Sequence, residues 1–362
     1  MYLALREFKF AKGRFSLIVV VVALMTLLVG FLTGIAGGLA GQNISALLRT
    51  GADQVVFAAA TEERKMSYAE SVISADAAKQ WEEIDGVRAT PLSIVNGAIE
   101  AGNAKKAIAL FAGVDPDGAA VSKGSDIVLG TETAAALGVV VGDSVTLAGA
   151  ELRVAEVTTD EFYSHLPVAW ASLETAQEFS QSTRQEIPYA TVMLLHQESD
   201  AANSAVAVAD VAAATETQAE PILLSLLTLD AFKAQLGSLG MMIGMLIAIA
   251  ALVIGVFFLV WSMQRQRDIA VLKALGAKTS WLVRDSIGQA LLVLVLGVLV
   301  GAAANFALGA AVSSSNIPFV SGVLPVLIPG ILMIIAGLLG ALVSLRQIVK
   351  ADPNAALQAS GG

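Results

Sequence analysis

The sequence of 362 residues contains no cysteine and only two histidines, His165 and His196, which stand alone. The absence of cysteine excludes disulfides, thiolate metal sites and cysteine nucleophiles. Neither a G-x-S-x-G elbow nor an H-E-x-x-H zinc helix is present. The string GAKTS at 276–280 is not a phosphate-binding loop, because Ala277 interrupts it and Val271 stands where the first glycine should be. We therefore expect a chain that is not an enzyme; a membrane enzyme is the weakest alternative.

Charge is scarce, and it is divided unevenly along the chain. Charged residues make up only 15% of the sequence and hydrophobic residues 56%. A globular core of this size cannot bury so much apolar side chain, so lipid is the expected solvent for part of it. Residues 45–228 hold 10 Lys/Arg against 26 Asp/Glu, whereas the remainder holds 12 against 5. The acidic part lacks the clustered cations that bind phosphates, which excludes a nucleic-acid-binding protein.

Four long apolar runs predict membrane-spanning helices. At 1.5 Å per residue, each run is long enough to cross about 30 Å of hydrocarbon. The predicted helices are residues 17–42, 236–263, 283–312 and 323–345. A cleaved signal peptide at residues 1–40 is an alternative, but its apolar run is about twice as long as that of a signal peptide. We therefore expect the first span to be retained.

Lysine and arginine cluster on one side of these helices and predict the orientation. They precede the first span, lie between the second and third, and follow the fourth: Arg6, Lys9, Lys12, Arg14, Arg265, Arg267, Lys273, Lys278, Arg284, Arg346 and Lys350. Both chain ends are therefore expected in the cytoplasm of a multi-pass cell-membrane protein. The other predicted segments are a cytoplasmic amphipathic N-terminal helix (1–16), an extracytoplasmic domain with its stalk (43–235), a cytoplasmic coupling segment (264–282), an outer loop (313–322) and a cytoplasmic tail (346–362).

The region between the first two spans has the pattern of a mixed α+β domain. Short β-rich runs at 54–59, 107–114, 152–157, 167–172 and 190–195 alternate with helical stretches near 75–84, 131–137 and 173–180. Residues 200–218 are alanine-rich and predict a further helix. After Pro221 the chain is expected to enter the second span as a helix that transmits motion. The predicted fold class is an integral membrane α-helical protein with four transmembrane helices and a mixed α+β extracytoplasmic domain.

The segment RQRDIAVLKALGAKTSWLVRD at 265–285 places apolar residues at helical spacing among cations, which is typical of a helix that binds a partner. It resembles the coupling region of MacB/FtsX-superfamily ABC transporter permeases, which contacts the ATPase subunit. The matching residues are Arg265, Arg267, Asp268, Leu272, Leu275, Gly276 and Ala277. The strings at 137–157 and 346–358 are similar to the extracytoplasmic domain of MacB type and to the superfamily's closing segment. The resemblance implies a homodimer and a separate ABC ATPase on the cytoplasmic side.

Glycine concentrates in the outer halves of the first two spans. The positions are Gly30, Gly34, Gly37, Gly38 and Gly41 in the first span and Gly237, Gly240 and Gly244 in the second. One interpretation is close helix packing through small-xxx-small contacts. The other is a flat slot, open to lipid, for a planar amphiphile. The strings REFKFAKGRFSLI and GLAGQNIS resemble the start of HrtB-type heme-export permeases, which implies that the amphiphile is heme.

Heme as the transported ligand would need an oxygen or nitrogen ligand for its iron near the outer membrane surface. Candidates are Glu216, Glu220 and Asp230, with Tyr163 and His165 farther away. Methionines at the start of the second span suit either irregular packing or the surroundings of a porphyrin. The predicted substrate-binding residues are Gly30, Gly34, Gly37, Gly38, Glu216, Glu220, Asp230, Met241 and Met245. No resident cofactor and no structural metal site are expected.

The expected function is export of heme, for heme detoxification, by a permease dimer driven by a partner ATPase. A MacB-like exporter of lipid, peptide or drug would use the same mechanical coupling and is one alternative. An FtsX-like protein that signals across the membrane to an extracellular enzyme or a sensor is the other. Heme binding by the purified chain distinguishes the first hypothesis from both alternatives.

Overall fold

A computed structural model describes residues 12–62, 64–183, 188–197, 201–264, 271, 273, 275–312 and 317–350. The chain forms two compact units. Met1–Leu39 with Gly237–Gly362 make up the first, here called the membrane unit, and Ala40–Leu236 make up the second, called the domain unit.

Within the described residues, nine α-helices are assigned. They are α1 (Lys12–Arg49), α2 (Ala75–Glu82), α3 (Thr131–Leu137), α4 (Leu173–Thr183), α5 (Ala201–Ala214), α6 (Ile222–Ser225), α7 (Asp230–Gln264), α8 (Thr279–Val312) and α9 (Leu324–Lys350). Four of them, α1, α7, α8 and α9, are long and apolar enough to cross a membrane. Helices α1 and α7 contain 38 and 35 residues. At roughly 57 and 52 Å they are longer than the hydrocarbon layer is thick.

The membrane unit has its own apolar core, to which all four long helices contribute. Its fully buried members include Val22 of α1, Ile254 of α7, Leu294 of α8 and Met333 of α9. Small residues bring two of these helices especially close, since a Cβ atom built on Gly255 of α7 would lie 3.2 Å from the Cα atom of Gly340 of α9. Because lipid is as apolar as these side chains, such close packing is the main source of helix association here.

The domain unit contains ten strands in one sheet. They are β1 (Gln54–Ala58), β2 (Val87–Ala101), β3 (Ala104–Ala112), β4 (Asp126–Gly130), β5 (Ser144–Leu147), β6 (Ala150–Thr158), β7 (Phe162–Tyr163), β8 (Leu166–Ala171), β9 (Val192–Gln197) and β10 (Thr217–Pro221). The neighbours run in the order β10-β1-β9-β2-β3-β8-β4-β6-β5, and β7 pairs with β8. Most pairs are antiparallel, but β3 with β8 and β4 with β6 are parallel.

The last strand of this order returns to β2 and closes a barrel. Ile99 and Glu100 of β2 pair with Leu147 and Thr146 of β5. The ring β2-β3-β8-β4-β6-β5 therefore has no free edge. Its buried side chains form one cluster with those of α3 and α4, including Ile108, Leu129 and Phe179.

The first half of β2 belongs to a four-stranded sheet with β9, β1 and β10. Helices α2 and α5 pack on one face, where Trp81 is fully buried. The other face is covered by the end of α1 and the start of α7, through Leu47 and Phe232. Alternating residues of β1 point to the two faces, as the strand geometry requires: Val56 to the first and Phe57 to the second.

The predicted fold class is confirmed, with four candidate spans and a mixed α+β domain. Of the expectations about residues 200–229, the alanine-rich helix is confirmed at Ala201–Ala214 and the helix that enters the second span is confirmed from Asp230 onward, but both are shorter than predicted. The alanine-rich helix ends at Ala214, because Glu216 adopts a left-handed backbone (φ 52°) and Thr217–Pro221 pair with β1. The chain after Pro221 first forms α6 and a short 3₁₀ turn, and the continuous helix into the membrane begins only at Asp230.

Candidate functional site

Four glycines of α1, Gly30, Gly34, Gly37 and Gly38, lie against other parts of the membrane unit, whereas a Cβ atom built on Gly41 would meet nothing within 4 Å. A Cβ atom built on Gly30 would lie 2.5 Å from Nδ2 of Asn305 in α8. One built on Gly34 would lie 2.5 Å from Cζ of Phe319. Either distance is too short for a real side chain, so these two positions require glycine for packing. Asn305 is only 2% exposed, and its Nδ2 donates to the carbonyl oxygen of Leu27 at 3.3 Å.

Three residues that precede α9 lie directly on α1. Pro318, Phe319 and Val320 are here called the plug. Val320 N donates to the carbonyl oxygen of Gly34 at 3.0 Å. A Cβ atom built on Gly38 would lie 2.7 Å from the backbone nitrogen of Phe319. Close approach of one backbone to another thus explains the glycine at position 38.

A row of small or polar residues on α8 forms the matching surface, and the glycine interpretation of the sequence missed it. Its members are Gly297, Gly301, Asn305 and Gly309, at every fourth position. A Cβ atom built on Gly297 would lie 2.6 Å from Cβ of Val22. Four-residue spacing places all members on one face of the helix, and small residues there let backbones approach. The spacing was a readable signal, because the string G-x-x-x-G at 297–301 is the pattern of a packing face.

Helix α7 presents a different surface. A Cβ atom built on any of its glycines Gly237, Gly240 and Gly244 would meet no atom within 4 Å. Met241 and Met245, which lie on the same side of the helix, are 72% and 61% exposed. These five residues are here called the open face of α7. Neither methionine is buried in the core of the described chain.

The three carboxylates predicted near the membrane lie in the domain unit. Glu216 is exposed and precedes β10, and Glu220 lies on β10, where it accepts a hydrogen bond from Nε2 of Gln218 at 2.6 Å. Four residues of extended chain separate Glu216 from Glu220 by roughly 13 Å. Asp230 is exposed in the first turn of α7. The structure therefore does not bring Glu216 and Glu220 together as ligands of one iron.

The two more remote candidates lie in a turn that contacts α1. Tyr163 belongs to the buried core, where its ring centre is 5.3 Å from that of Phe111. Burial raises the pKa of the Tyr163 phenol above its usual range. Nδ2 of Asn43 lies 3.3 Å from Nε2 of His165, within hydrogen-bond distance. The backbone nitrogen of His165 also donates to the carbonyl oxygen of Gln42 at 2.8 Å. The side chain and backbone nitrogen of His165 thus attach this turn to α1.

Of the predicted ATPase-coupling residues, Arg265, Arg267, Asp268 and Leu272 lie outside the described residues. Leu275 and Gly276 form a tight turn between two helical segments. Gly276 N donates to the carbonyl oxygen of Lys273 at 3.0 Å, and Gly276 has a left-handed backbone with φ 92°. Glycine is favoured at that backbone angle, which explains the glycine in this turn. Leu275 is 80% exposed, so the turn presents it to solvent.

Comparison with known proteins yields a family and full-length relatives. Residues 240–353 match the family described as FtsX-like permease C-terminal. The chain is 26% identical over 373 residues to the Staphylococcus haemolyticus protein named hemin transport system permease protein HrtB, covering 100% of this chain and 99% of that one. A Staphylococcus epidermidis protein of the same name is 26% identical over 370 residues, with the same coverage.

Two solved structures are similar to part of the chain at low scores. The extracellular domain of the noncanonic ABC-type transporter YknZ from Gram-positive bacteria has a TM-score of 0.34 and 11% identity, over 46% of this chain and 98% of that one. The periplasmic region of MacB from Actinobacillus actinomycetemcomitans has a TM-score of 0.36 and 14% identity, over 50% and 94%. The predicted resemblance to MacB/FtsX-superfamily permeases, and to the HrtB type among them, is confirmed by the family match and the full-length relatives.

Proposed function

We propose that this chain is the permease subunit of an ABC transporter that exports heme, and that it works as a dimer driven by a separate ATPase subunit. The likeness to the HrtB protein covers 100% of this chain and 99% of that protein. The domain unit is acidic and the segments beside the spans are basic. By the distribution of cations, both ends and residues 264–282 face the cytoplasm, and the domain unit faces outward.

The open face of α7 is the observation that carries the proposal of a flat cargo. Its three glycines have empty space where side chains would be, and Met241 and Met245 flank them. Two copies that meet through this face would enclose a flat apolar cleft with thioether sulfurs at its edge. Methionine is a known axial ligand of heme iron and packs softly around large rings. A porphyrin fits such a cleft better than a branched lipid or a peptide does.

The glycines of α1 have a different role in this proposal. In the described chain Gly30 faces Asn305, and Gly34, Gly37 and Gly38 face the plug. We therefore place the first contact of heme on α7, with Met241 and Met245 as the sulfur donors. Asp230, at the outer end of the same helix, is a candidate carboxylate ligand, and Glu216 and Glu220 remain candidates as single ligands.

The test is heme titration of the purified full-length permease in lipid nanodiscs, followed by the Soret absorption band. Wild type is expected to give a saturable shift of the band. Gly240→Leu with Gly244→Leu fills the open face and is expected to weaken binding by at least about tenfold. Gly288→Leu is the matched control, since a Cβ atom at Gly288 on α8 also meets nothing within 4 Å.

The proposal fails if the wild-type titration shows no saturable change. Unaltered heme sensitivity of cells that lack the permease would also count against it and would favour a lipid, peptide or drug as cargo. Co-purification of an extracellular enzyme without any cargo would instead favour signalling. Met241→Ala is expected to change the position of the Soret band if its sulfur ligates the iron.

A further inference from the structure

We propose that three exposed leucines beside the start of α7 insert into the membrane surface and anchor this part of the domain unit to lipid. They are Leu223 and Leu224 of α6 and Leu227 of the 3₁₀ turn that follows, here called the leucine patch. The partner is the boundary between lipid headgroups and acyl chains, where the apolar side chains of amphipathic segments are taken up. The inference is independent of the cargo, because it concerns lipid and does not involve heme.

The leucine patch belongs to a segment whose other leucines are buried. Leu226 is 3% exposed and Leu229 is 9% exposed, whereas Leu223, Leu224 and Leu227 are 68%, 55% and 41% exposed. Contact of large apolar side chains with water is unfavourable, and a cluster of them on a surface marks a site that binds another apolar phase. The segment is thus amphipathic, with one side in the core of the domain unit and the other side outward.

Hydrogen bonds hold the leucine patch in a fixed orientation. Ser225 of α6 is fully buried, and its Oγ lies 2.7 Å from the hydroxyl oxygen of Tyr68. The backbone nitrogen of Ile222 donates to the carbonyl oxygen of Asp53 at 3.0 Å. The exposed leucines cannot turn into the core without breaking these contacts. Their exposure is therefore part of the fold of the domain unit.

The continuity of the chain places the leucine patch at the membrane surface. Two residues separate Leu227 from Asp230, where α7 begins, and α7 is one helix as far as Gln264. The predicted apolar span begins at Leu236, six residues after Asp230, which corresponds to about 9 Å of helix. The headgroup layer adds roughly 5–8 Å on each side of the hydrocarbon. The patch is therefore tethered at the height of the headgroups.

The charges near the leucine patch favour a contact with the apolar layer over one with charged headgroups. Residues 222–236 carry one anion, Asp230, and one cation, Lys233, so their net charge is zero. Residues 45–228 hold 26 Asp/Glu against 10 Lys/Arg. Attraction to anionic lipid needs a cluster of cations, which this part of the chain lacks. The leucines are thus the source of the attraction, and neutral lipid is sufficient for it.

Backbone hydrogen bonds join the leucine patch to α7. The nitrogen of Leu229 donates to the carbonyl oxygen of Leu226 at 3.2 Å, and the nitrogen of Lys233 donates to that of Leu229 at 2.9 Å. A movement of α7 along its axis therefore moves the leucines relative to the lipid surface. Because withdrawal from lipid would expose them to water, the patch opposes displacement of α7 out of the membrane.

A second copy of the chain is the other conceivable occupant of the leucine patch. Lipid is favoured because the bilayer surrounds α7 wherever this helix crosses it, whatever the oligomeric state. The open face of α7, through which two copies are proposed to meet, begins at Gly237 and does not include the patch.

The experiment measures the depth of a fluorophore on the leucine patch. The chain has no cysteine, so Leu224→Cys in the full-length chain can be labelled at one site with the environment-sensitive fluorophore NBD. The labelled protein is placed in phosphatidylcholine nanodiscs that contain a lipid spin-labelled at the headgroup, at the top of the acyl chain or at its end. Leu252→Cys on α7, at a 67% exposed position, is the control inside the span. Val140→Cys, at a 66% exposed position between α3 and β5, is the control in the domain unit.

NBD at Leu224→Cys is expected to be quenched by the two shallow spin labels, and NBD at Leu252→Cys by the deep one. NBD at Val140→Cys should not be quenched. Addition of Leu223→Asn and Leu227→Asn, which leaves the buried leucines in place, is expected to abolish most of the quenching at Leu224→Cys and to shift its emission to longer wavelength.

Absence of quenching at Leu224→Cys while Leu252→Cys is quenched would overturn the inference. Quenching that survives both asparagine substitutions, or that appears only when phosphatidylglycerol is added, would also overturn it, since the leucines would then not be the source of the contact. A disulfide between copies of unlabelled Leu224→Cys, with no quenching by any lipid, would show that a second copy covers the patch. All measurements are made without heme, so the result stands whether or not the purified chain binds heme.

Discussion

Nδ2 of Asn43 in α1 donates a hydrogen bond of 2.6 Å to Oε1 of Gln235 in α7, inside the domain unit. Asn43 is only 1% exposed, and its Nδ2 also lies 3.3 Å from Nε2 of His165. The bond joins the two helices that continue from the domain unit into candidate membrane spans. Both helices also contribute to one apolar core, through Leu47 and Phe232. The two helices are thus tied together before either leaves the domain.

Removal of this bond is expected to destabilise the domain unit. Asn43→Ala leaves Gln235 without this partner, and loss of one partner of a buried hydrogen bond costs about 1–3 kcal/mol. For a domain of this size, each kcal/mol lowers the Tm by roughly 2–4 °C. The Tm of the purified full-length chain measures the effect. Asn96→Ala, at an exposed position of β2, is the control, and an equal Tm for the two variants would contradict the role of Asn43.

The contact of α1 with α8 predicts opposite effects of the same substitution at two glycines of α8. Gly297→Ala places a methyl group 2.6 Å from Cβ of Val22, and such overpacking costs about 1–3 kcal/mol. Gly288→Ala meets nothing within 4 Å, and Gly to Ala in a helix gains up to about 1 kcal/mol. We expect Gly297→Ala to lower the thermal stability of the detergent-solubilised chain. Gly288→Ala should leave it unchanged or raise it, and a loss of the same size in both would refute the assigned contact.

Tyr163 predicts a loss of stability at alkaline pH. An unfolded tyrosine has a pKa of about 10, and burial raises the pKa of Tyr163 in the folded chain above that value. The folded state then holds the proton more tightly than the unfolded state does. This contribution is fully present below about pH 10 and declines as the pH rises further towards the raised pKa.

Tyr163→Phe removes that titration while it keeps the ring contact with Phe111. Between pH 8 and pH 11, the Tm of wild type is expected to fall further than that of the variant. At pH 8 the two should lie close together. Equal losses of Tm over this range would show that Tyr163 ionises as easily in the folded chain as in the unfolded one.

The sequence pattern predicted those strands whose apolar residues mark them locally. The run at 152–157 lies within β6 and the run at 54–59 corresponds to β1, since both contain β-branched or aromatic residues and the first also alternates apolar with polar ones. β10 could not be found in this way. Its residues TQAEP are mostly polar and end in proline. It forms a strand because its backbone pairs with β1, and the paired residues are far apart in the sequence.

The same limit of prediction from sequence applies to the candidate site. Glycine spacing in α1 left close packing and a slot open as interpretations, and it could not show which residues lie against those glycines. The answer depends on Phe319, which is 285 residues away from Gly34 along the chain and has no periodic signal of its own. On α7, a Cβ atom built on Gly237, Gly240 or Gly244 would meet nothing within 4 Å. Glycine occurs both at packed helix contacts and on exposed helix faces. Only the three-dimensional arrangement distinguishes the two cases.

The coupling of ATP hydrolysis to transport is expected to depend on the basic residues beside the exposed turn of Leu275. Charge reversal in Arg265→Glu with Arg267→Glu opposes docking of the partner ATPase, because rim charges of an interface steer association. We expect loss of heme-stimulated ATP hydrolysis with normal membrane insertion, measured in membranes that contain both subunits. Lys105→Glu with Lys106→Glu, on β3 of the domain unit, changes the net charge equally and is expected to retain activity. Full activity of the Arg265→Glu, Arg267→Glu variant would show that the ATPase docks elsewhere. Like charges that face each other in an interface lower association whatever the cargo is.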